Sequence, residues 1–162
     1  ISVVKGMFFN KKVDFYVVNE LDALAYQGYF SIECKREEDQ VIYSLIDSGK
    51  EKVYYAKYKV KDNGLEQNTD YKVEKLSNII EEVLLENNEN GKIYLSGDAV
   101  LNYKNIIKDN LGDKITLIED SSLKISSTTF NRMFFIDKLE KKDIYSLKPY
   151  YLEKTQAERD KE

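Results

Sequence analysis

The chain contains no histidine among its 162 residues. That absence excludes a Ser-His-Asp triad, a Cys-His dyad and any histidine-ligated metal site within this stretch. A single cysteine, Cys34, excludes an internal disulfide and a cysteine-rich zinc site. It also has no histidine partner that would make it a nucleophile, so it reads as a half-buried helix residue. One proline and seven glycines leave no room for a collagenous or linker-like tract. No apolar run approaches the length needed to span a bilayer, so no membrane association is expected. Basic residues are in deficit, 25 against 29 acidic ones. Nucleic-acid binders usually show the opposite balance, because phosphate neutralisation dominates their affinity.

What is present suits a globular domain: 42% hydrophobic and 33% charged residues. The basic set is 22 lysines and only 3 arginines. With many Asn, Ile and Tyr, this composition predicts a bacterial genome rich in A and T. The chain opens on Ile1-Ser2-Val3-Val4, without an initiator methionine, a basic flank or a cleavage site. This predicts a piece of a longer, cytoplasmic protein.

Hydrophobic periodicity predicts the elements. Ile1, Val4 and Phe8 form a short helical stripe, and 13–18 reads as a strand. Asn19 caps a helix with Leu21, Leu24, Ala25, Gly28 and Ile32 on one face. The charged run from Lys35 to Gln40 marks a lobe boundary. Strands follow at 41–46, 53–60 and 65–73, joined at Ser48-Gly49-Lys50 and Asp62-Asn63-Gly64. A helix then buries Leu76, Ile79, Ile80, Val83 and Leu84. After strand 93–95, Asp98 caps a helix with Val100, Tyr103, Ile107 and Leu111, ending at Gly112. Strand 115–118 and a helix near 127–139, with Phe130, Met133, Phe134 and Leu139 inward, complete the series.

Three strands, then helix, strand, helix, strand, helix, is the order of a ribonuclease-H-like α/β lobe with a mixed sheet. The same unit is repeated in the actin-like ATPase superfamily. The predicted division is 1–40 as the end of a first lobe and its connecting helix. Residues 41–125 form the second lobe, and 126–162 the last helix and tail.

Chemistry-bearing candidates are few. Asp47-Ser48-Gly49 occupies the hairpin where actin-like ATPases contact phosphate and metal, but three residues of this type read first as an ordinary turn. Ser96-Gly97-Asp98 ends a strand where those ATPases carry two glycines, and Asp98 would repel a phosphate. Asp47, Asp98, Glu81 and Glu82 could imitate a two-metal carboxylate cluster, but acidic residues are common enough here to coincide. The 13 tyrosines read as packing rather than base-stacking residues.

The most specific segment is Pro149-Tyr150-Tyr151-Leu152-Glu153-Lys154-Thr155-Gln156-Ala157-Glu158-Arg159, an apolar anchor followed by a polar tail. It resembles the carboxy-terminal signature of the TsaB (YeaZ) family. Val4-Lys5-Gly6, Asn19 to Ala25, Val53-Tyr54-Tyr55-Ala56 and Ser96-Gly97-Asp98-Ala99 resemble further segments of that family, in the same order. Glu153 departs from its usual arginine. The resemblance implies a pseudo-enzyme with no cofactor, metal or catalytic residue. It implies binding to a TsaD-type catalytic subunit and a TsaE-type ATPase in tRNA threonylcarbamoyladenosine synthesis, with tRNA met only through the complex. Pro149, Tyr151 and Leu152 would be structural anchors, and Gln156, Ala157, Glu158 and Arg159 partner contacts. An exposed apolar remnant of the first lobe would allow a homodimer in isolation. The alternatives are an actin-like nucleotide-binding ATPase or kinase-type domain, and a plain interaction domain of the same fold.

Overall fold

The computed structural model describes residues 1–32, 39–86, 91–118, 122–150 and 152. A mixed sheet forms the centre. Strand β2 (Gln40–Gly49) pairs antiparallel with β3 (Lys52–Lys61) and parallel with β6 (Lys92–Ser96). Strand β7 (Thr116–Leu117) continues in parallel beyond β6. On the outer edge of β3 lie β4 (Gly64–Gln67) and β5 (Lys72–Lys75), both antiparallel to it. This is the expected ribonuclease-H-like arrangement, in which β3 runs against the rest.

The predicted third strand is therefore two strands with a break at 68–71. The break follows from a polar run that offers the ladder side-chain partners instead. Asn68 N–H donates to the Lys57 carbonyl at 2.7 Å, and Lys57 N–H donates to the Thr69 hydroxyl at 3.0 Å. The edge of β3 stays satisfied across the gap.

Strand alternation gives the sheet two faces. Ile42, Ser44 and Ile46 share a face with Ala56, Tyr58, Tyr94 and Ser96 across the ladders. Helix α2 (Glu20–Tyr29) covers that face. It begins as predicted, with the Asn19 side chain accepting from Leu21 N–H at 2.9 Å. The Ser44 hydroxyl donates to the Leu21 carbonyl and the Ser96 hydroxyl to the Leu24 carbonyl, each at 2.8 Å and buried. On the opposite face Tyr43, Leu45, Val53, Tyr55, Ile93 and Leu95 meet α3 (Leu76–Leu85) and α5 (Lys104–Leu111). The result is three layers around one main core.

A smaller unit adjoins α2. Helix α6 (Ser127–Phe135) packs Met133 against Ala23 and Tyr26. Strand β1 (Phe15–Val17) pairs antiparallel with β8 (Glu140–Lys142) as a separate two-stranded sheet. Helix α1 (Ser2–Met7) buries none of its own residues. No helix among the described residues is long and apolar enough to cross a membrane.

Five expectations need correction. Leu84 is 48% exposed, so the buried face of α3 stops at Val83. Helix α6 ends at Phe135, where Lys138 N–H turns back to the Met133 carbonyl and Asp137 takes positive φ. Its Phe130 and Phe134 point outward, leaving Met133 and Thr129 as the buried pair. The helix predicted after Asp98 is two, α4 (Asp98–Asn102) and α5, divided at Tyr103 with φ −111°. Gly97, not Asp98, is the residue that caps α4.

One charged group lies under α3. Lys57 is 8% exposed and pairs with Glu86 just past the helix end. Tyr43 donates toward Glu86 at 3.0 Å and Glu82 at 3.1 Å, and Tyr55 toward Glu82 at 3.4 Å. Burial and the Glu82 charge push the Tyr55 hydroxyl up to about 12. Burial would raise the Glu86 carboxyl, but the hydrogen bonds from Lys57 and Tyr43 outweigh it and hold it below its ordinary value. A carboxyl lowered in the folded state adds stability that is complete above its unfolded pKa. That contribution is lost as pH falls through the folded value.

Two stability predictions follow from these layers. Ile80→Ala should cost about 2–5 kcal/mol by cavity formation, whereas Leu84→Ala should stay within about 0.5 kcal/mol; urea unfolding of both decides whether the helix face is placed correctly. Lys57→Met should cost about 1–3 kcal/mol at neutral pH by stranding Glu86, and the gap to the parent should narrow below about pH 4 as carboxylates protonate. A gap that is constant across a pH series of melts would show that the Lys57–Glu86 pair contributes nothing.

Candidate functional site

The ends of β2 and β6 bring together the turns that the sequence singled out. The Asp47 carboxylate accepts from Gly49 N–H at 2.7 Å, from the Asn102 side-chain amide at 2.8 Å and from the Tyr103 hydroxyl at 2.8 Å. The Gly49 amide first, then Asn102, holds this carboxyl below its ordinary value. Asp47 N–H in turn donates to the Asp98 carboxylate at 3.0 Å. Asp47 and Asp98 are thus tied to each other and to the α4–α5 junction. The bond to Asp47 also explains why Asp98 leaves the capping position: its side chain reaches across to β2 rather than back to its own helix.

Gly97 makes this approach possible. It has φ +110°, and a Cβ there would overlap the carbonyl oxygen of Leu45. Only glycine fits where the two strand ends converge. Chemically, the turn presents two carboxylates where a phosphate would need neutral backbone. Glu81 is exposed on α3, and Glu82 faces Tyr43 and Tyr55, so neither joins Asp47. Among the described residues, no three of the His, Cys, Asp and Glu side chains come together to hold a metal ion.

A groove of about 840 Å³ lies between the β1–β8 unit and the sheet. Its apolar walls include Val17, Leu21, Ile46 and Tyr54. Pro149 and Leu152 also line it, so two of the three predicted anchors return to the start of α2. Tyr151, the third, lies outside the described residues, as do Gln156, Ala157, Glu158, Arg159 and Cys34. Tyr150 sits at the rim, its ring edge-on to Tyr71 at 6.0 Å.

Beside this groove is a cluster that sequence reading missed. Tyr58 and Tyr71 each donate to the Asp22 carboxylate at 2.7 Å. Burial first, then Asp22, raises both hydroxyls above the ordinary tyrosine range, so both remain protonated donors. Asp22, Tyr71 and Tyr150 share a cavity of about 280 Å³ with Lys138 and Glu140. Positions 22, 58 and 71 belong to a helix, a strand and a connection. No local spacing relates them, and only the packing of α2 on β3 brings them together.

Comparison with known proteins bears on the fold. No family model matches the chain, and no curated protein does. A solved structure from Pseudomonas aeruginosa does, described as an uncharacterized protein with similarity to peptidase YEAZ. It superposes with a TM-score of 0.63 at 18% identity over 94% of this chain. The chain shares the fold of that YeaZ-like protein. It spans 65% of the YeaZ-like chain's length. YeaZ from Pseudomonas aeruginosa itself aligns at 17% identity over 86% of this chain and 60% of its own, with a TM-score of 0.47.

Gly97→Ala should be among the most damaging single changes, costing about 3 kcal/mol or more through strained φ and overlap with backbone. Thermal or urea unfolding tests this. A loss below about 1 kcal/mol would mean that the ends of β2 and β6 stand further apart than described.

Proposed function

We propose that this chain is part of a TsaB (YeaZ)-type protein. In this reading it is a non-catalytic subunit that binds and stabilises a TsaD-type catalytic subunit, with a TsaE-type ATPase, for threonylcarbamoyladenosine modification of tRNA in the bacterial cytoplasm. One agreement carries the reading. The collinear sequence resemblance from Val4 to Arg159 names the same family as the fold likeness over 94% of the chain. The YeaZ-like structure is described as similar to a peptidase. This sequence has no histidine to activate a nucleophile, and among the described residues Asp47 and Asp98 are engaged in hydrogen bonds, which supports a non-catalytic reading. Under this reading Pro149 and Leu152 anchor the last segment along the groove, and the polar stretch from Gln156 to Arg159 meets the partner.

An actin-like nucleotide-binding domain is the competing reading, favoured by the sheet topology alone. The Asp47–Asp98 turn weighs against it, because a phosphate there would face two carboxylates.

Two measurements separate these readings. Calorimetry with ATP and magnesium should detect no binding to this chain, whereas micromolar affinity would favour the nucleotide-binding alternative. In the intact protein, deleting residues 155–162 should leave the melting temperature nearly unchanged but weaken assembly with the catalytic subunit and lower tRNA modification. Normal assembly and modification after the deletion would remove the tail from the mechanism.

A further inference from the structure

Tyr71 lies at the end of the break between β4 and β5, on neither a strand nor a helix. A ring on a connection swings unless something holds its far end. Here the hydroxyl donates to Asp22 Oδ2 at 2.7 Å. The other carboxylate oxygen, Oδ1, accepts from Tyr58 at 2.7 Å. Asp22 stands in the first turn of α2, and Tyr58 is buried on β3. The carboxylate is thus placed by a helix and braced by a strand, and it fixes a ring that the connection alone would leave loose. Hydroxyl bonds to an ionised carboxylate are of the stronger kind.

The end of the chain needs such a holder. The 3₁₀ turn Ile144–Ser146 closes with Leu147 N–H on the Ile144 carbonyl at 3.4 Å. Past that bond, residues 148–150 make no hydrogen bond among the described residues. Side-chain packing is what seats them. Leu147, Pro149 and Leu152 line the groove together with Ile46 and Tyr54 of the sheet. Tyr150 sets its ring edge-on to Tyr71, with centroids 6.0 Å apart and planes at 71°. Pro149 fixes its own φ directly before that ring, so the ring's place constrains the chain around it.

We propose that Tyr71 is a positioning residue for the end of the chain: locked by Asp22, it seats Tyr150 and so sets where the stretch after Leu152 leaves the body. The proposal rests on the subunit reading above, in which Gln156 to Arg159 meet the catalytic subunit, and adds which residues hold that stretch in place. A single edge-on aromatic pair contributes modestly. Its value here is preorganisation, because a segment already tethered loses less freedom when it binds. A ligand in the cavity of about 280 Å³ beside Asp22 is a weaker reading, since each carboxylate oxygen already accepts a short hydroxyl bond.

The test uses the intact protein and two readouts: backbone amide order parameters at Tyr150 and Leu152 by NMR, and calorimetric binding to the TsaD-type catalytic subunit. The parent should give order parameters near those of rigid backbone, about 0.85. Tyr71→Ala should lower them below about 0.6 and weaken binding about 3–10-fold, the worth of one aromatic pair. Tyr150→Ala should do the same, and with its ring 70% exposed the fold is not at risk. Tyr71→Phe, which keeps the ring and loses the bond to Asp22, should fall between. The double change should be no looser than either single one. Ile80→Ala on the opposite face should lower the melting temperature and leave the order parameters unchanged, which separates positioning from plain stability. Parent-like order in both Tyr71→Ala and Tyr150→Ala would overturn the proposal and leave the seating to the groove walls. Loosened order with unchanged binding would also overturn it, while the subunit reading stands. A parent that does not bind the catalytic subunit would overturn the subunit reading and the positioning role with it.

Discussion

The position of helix α2 depends on two serine hydroxyls. Ser44 on β2 and Ser96 on β6 stand side by side in the parallel ladder, and each donates to an α2 carbonyl, those of Leu21 and Leu24. A helical carbonyl has a second lone pair beyond the one used within the helix, so these bonds add to the helix rather than compete with it. Each contributes about 1 kcal/mol net, and the greater cost would be of leaving a buried hydroxyl unpaired. Small serine side chains also let the helix approach closely. A Cβ on Gly28 would lie 3.4 Å from Ser96 Cβ and 3.0 Å from the end of Ile118.

Much else follows from where α2 sits. Its outer side offers Ala23 and Tyr26 to Met133 of α6, and thereby positions the smaller unit with β1 and β8. Its first turn carries Asp22 to the hydroxyls of Tyr58 and Tyr71 and places Asn19 and Leu21 along the large groove. The opposite face of the sheet solves a different problem. There a nearly buried lysine is balanced by Glu86 under the end of α3, with two tyrosines completing the network. Both faces obtain directionality from tyrosine hydroxyls, while aliphatic side chains supply most of the buried area.

The two ends of the molecule differ in what their polar and apolar side chains meet. The β2 and β6 turns, where nucleotide chemistry occurs in the actin-like superfamily, use their carboxylates internally. Asp47 holds Asn102 and Tyr103, and Asp98 holds the Asp47 amide. The α1–β1–α6 unit keeps its aromatic side chains outward. A fold of this class carries many unrelated functions, so the topology does not by itself make these turns a nucleotide site.

Strand and helix order was legible from residue 41 onward, because the side-chain period differs between the two structures and the core faces are strongly apolar. The Asn19 cap, the Gly112 stop and the burial of Leu76, Ile79, Ile80 and Val83 are likewise written in local chemistry. Periodicity misled where an apolar residue had no element to meet. Leu84, Phe130 and Phe134 carry the right spacing, yet no described element buries them. Asp98 has the right type for a cap, but a neighbour 51 residues away competes for its oxygen. The Lys57–Glu86 pair and the Asp22–Tyr58–Tyr71 cluster had no signal in local spacing. Sequence alone determined what depends on neighbours within a few turns: element type, the helix ends at Asn19 and Gly112, and the topology class. Tertiary structure alone decided which polar atoms meet and which apolar faces stay open, because both depend on contacts between residues distant in the chain.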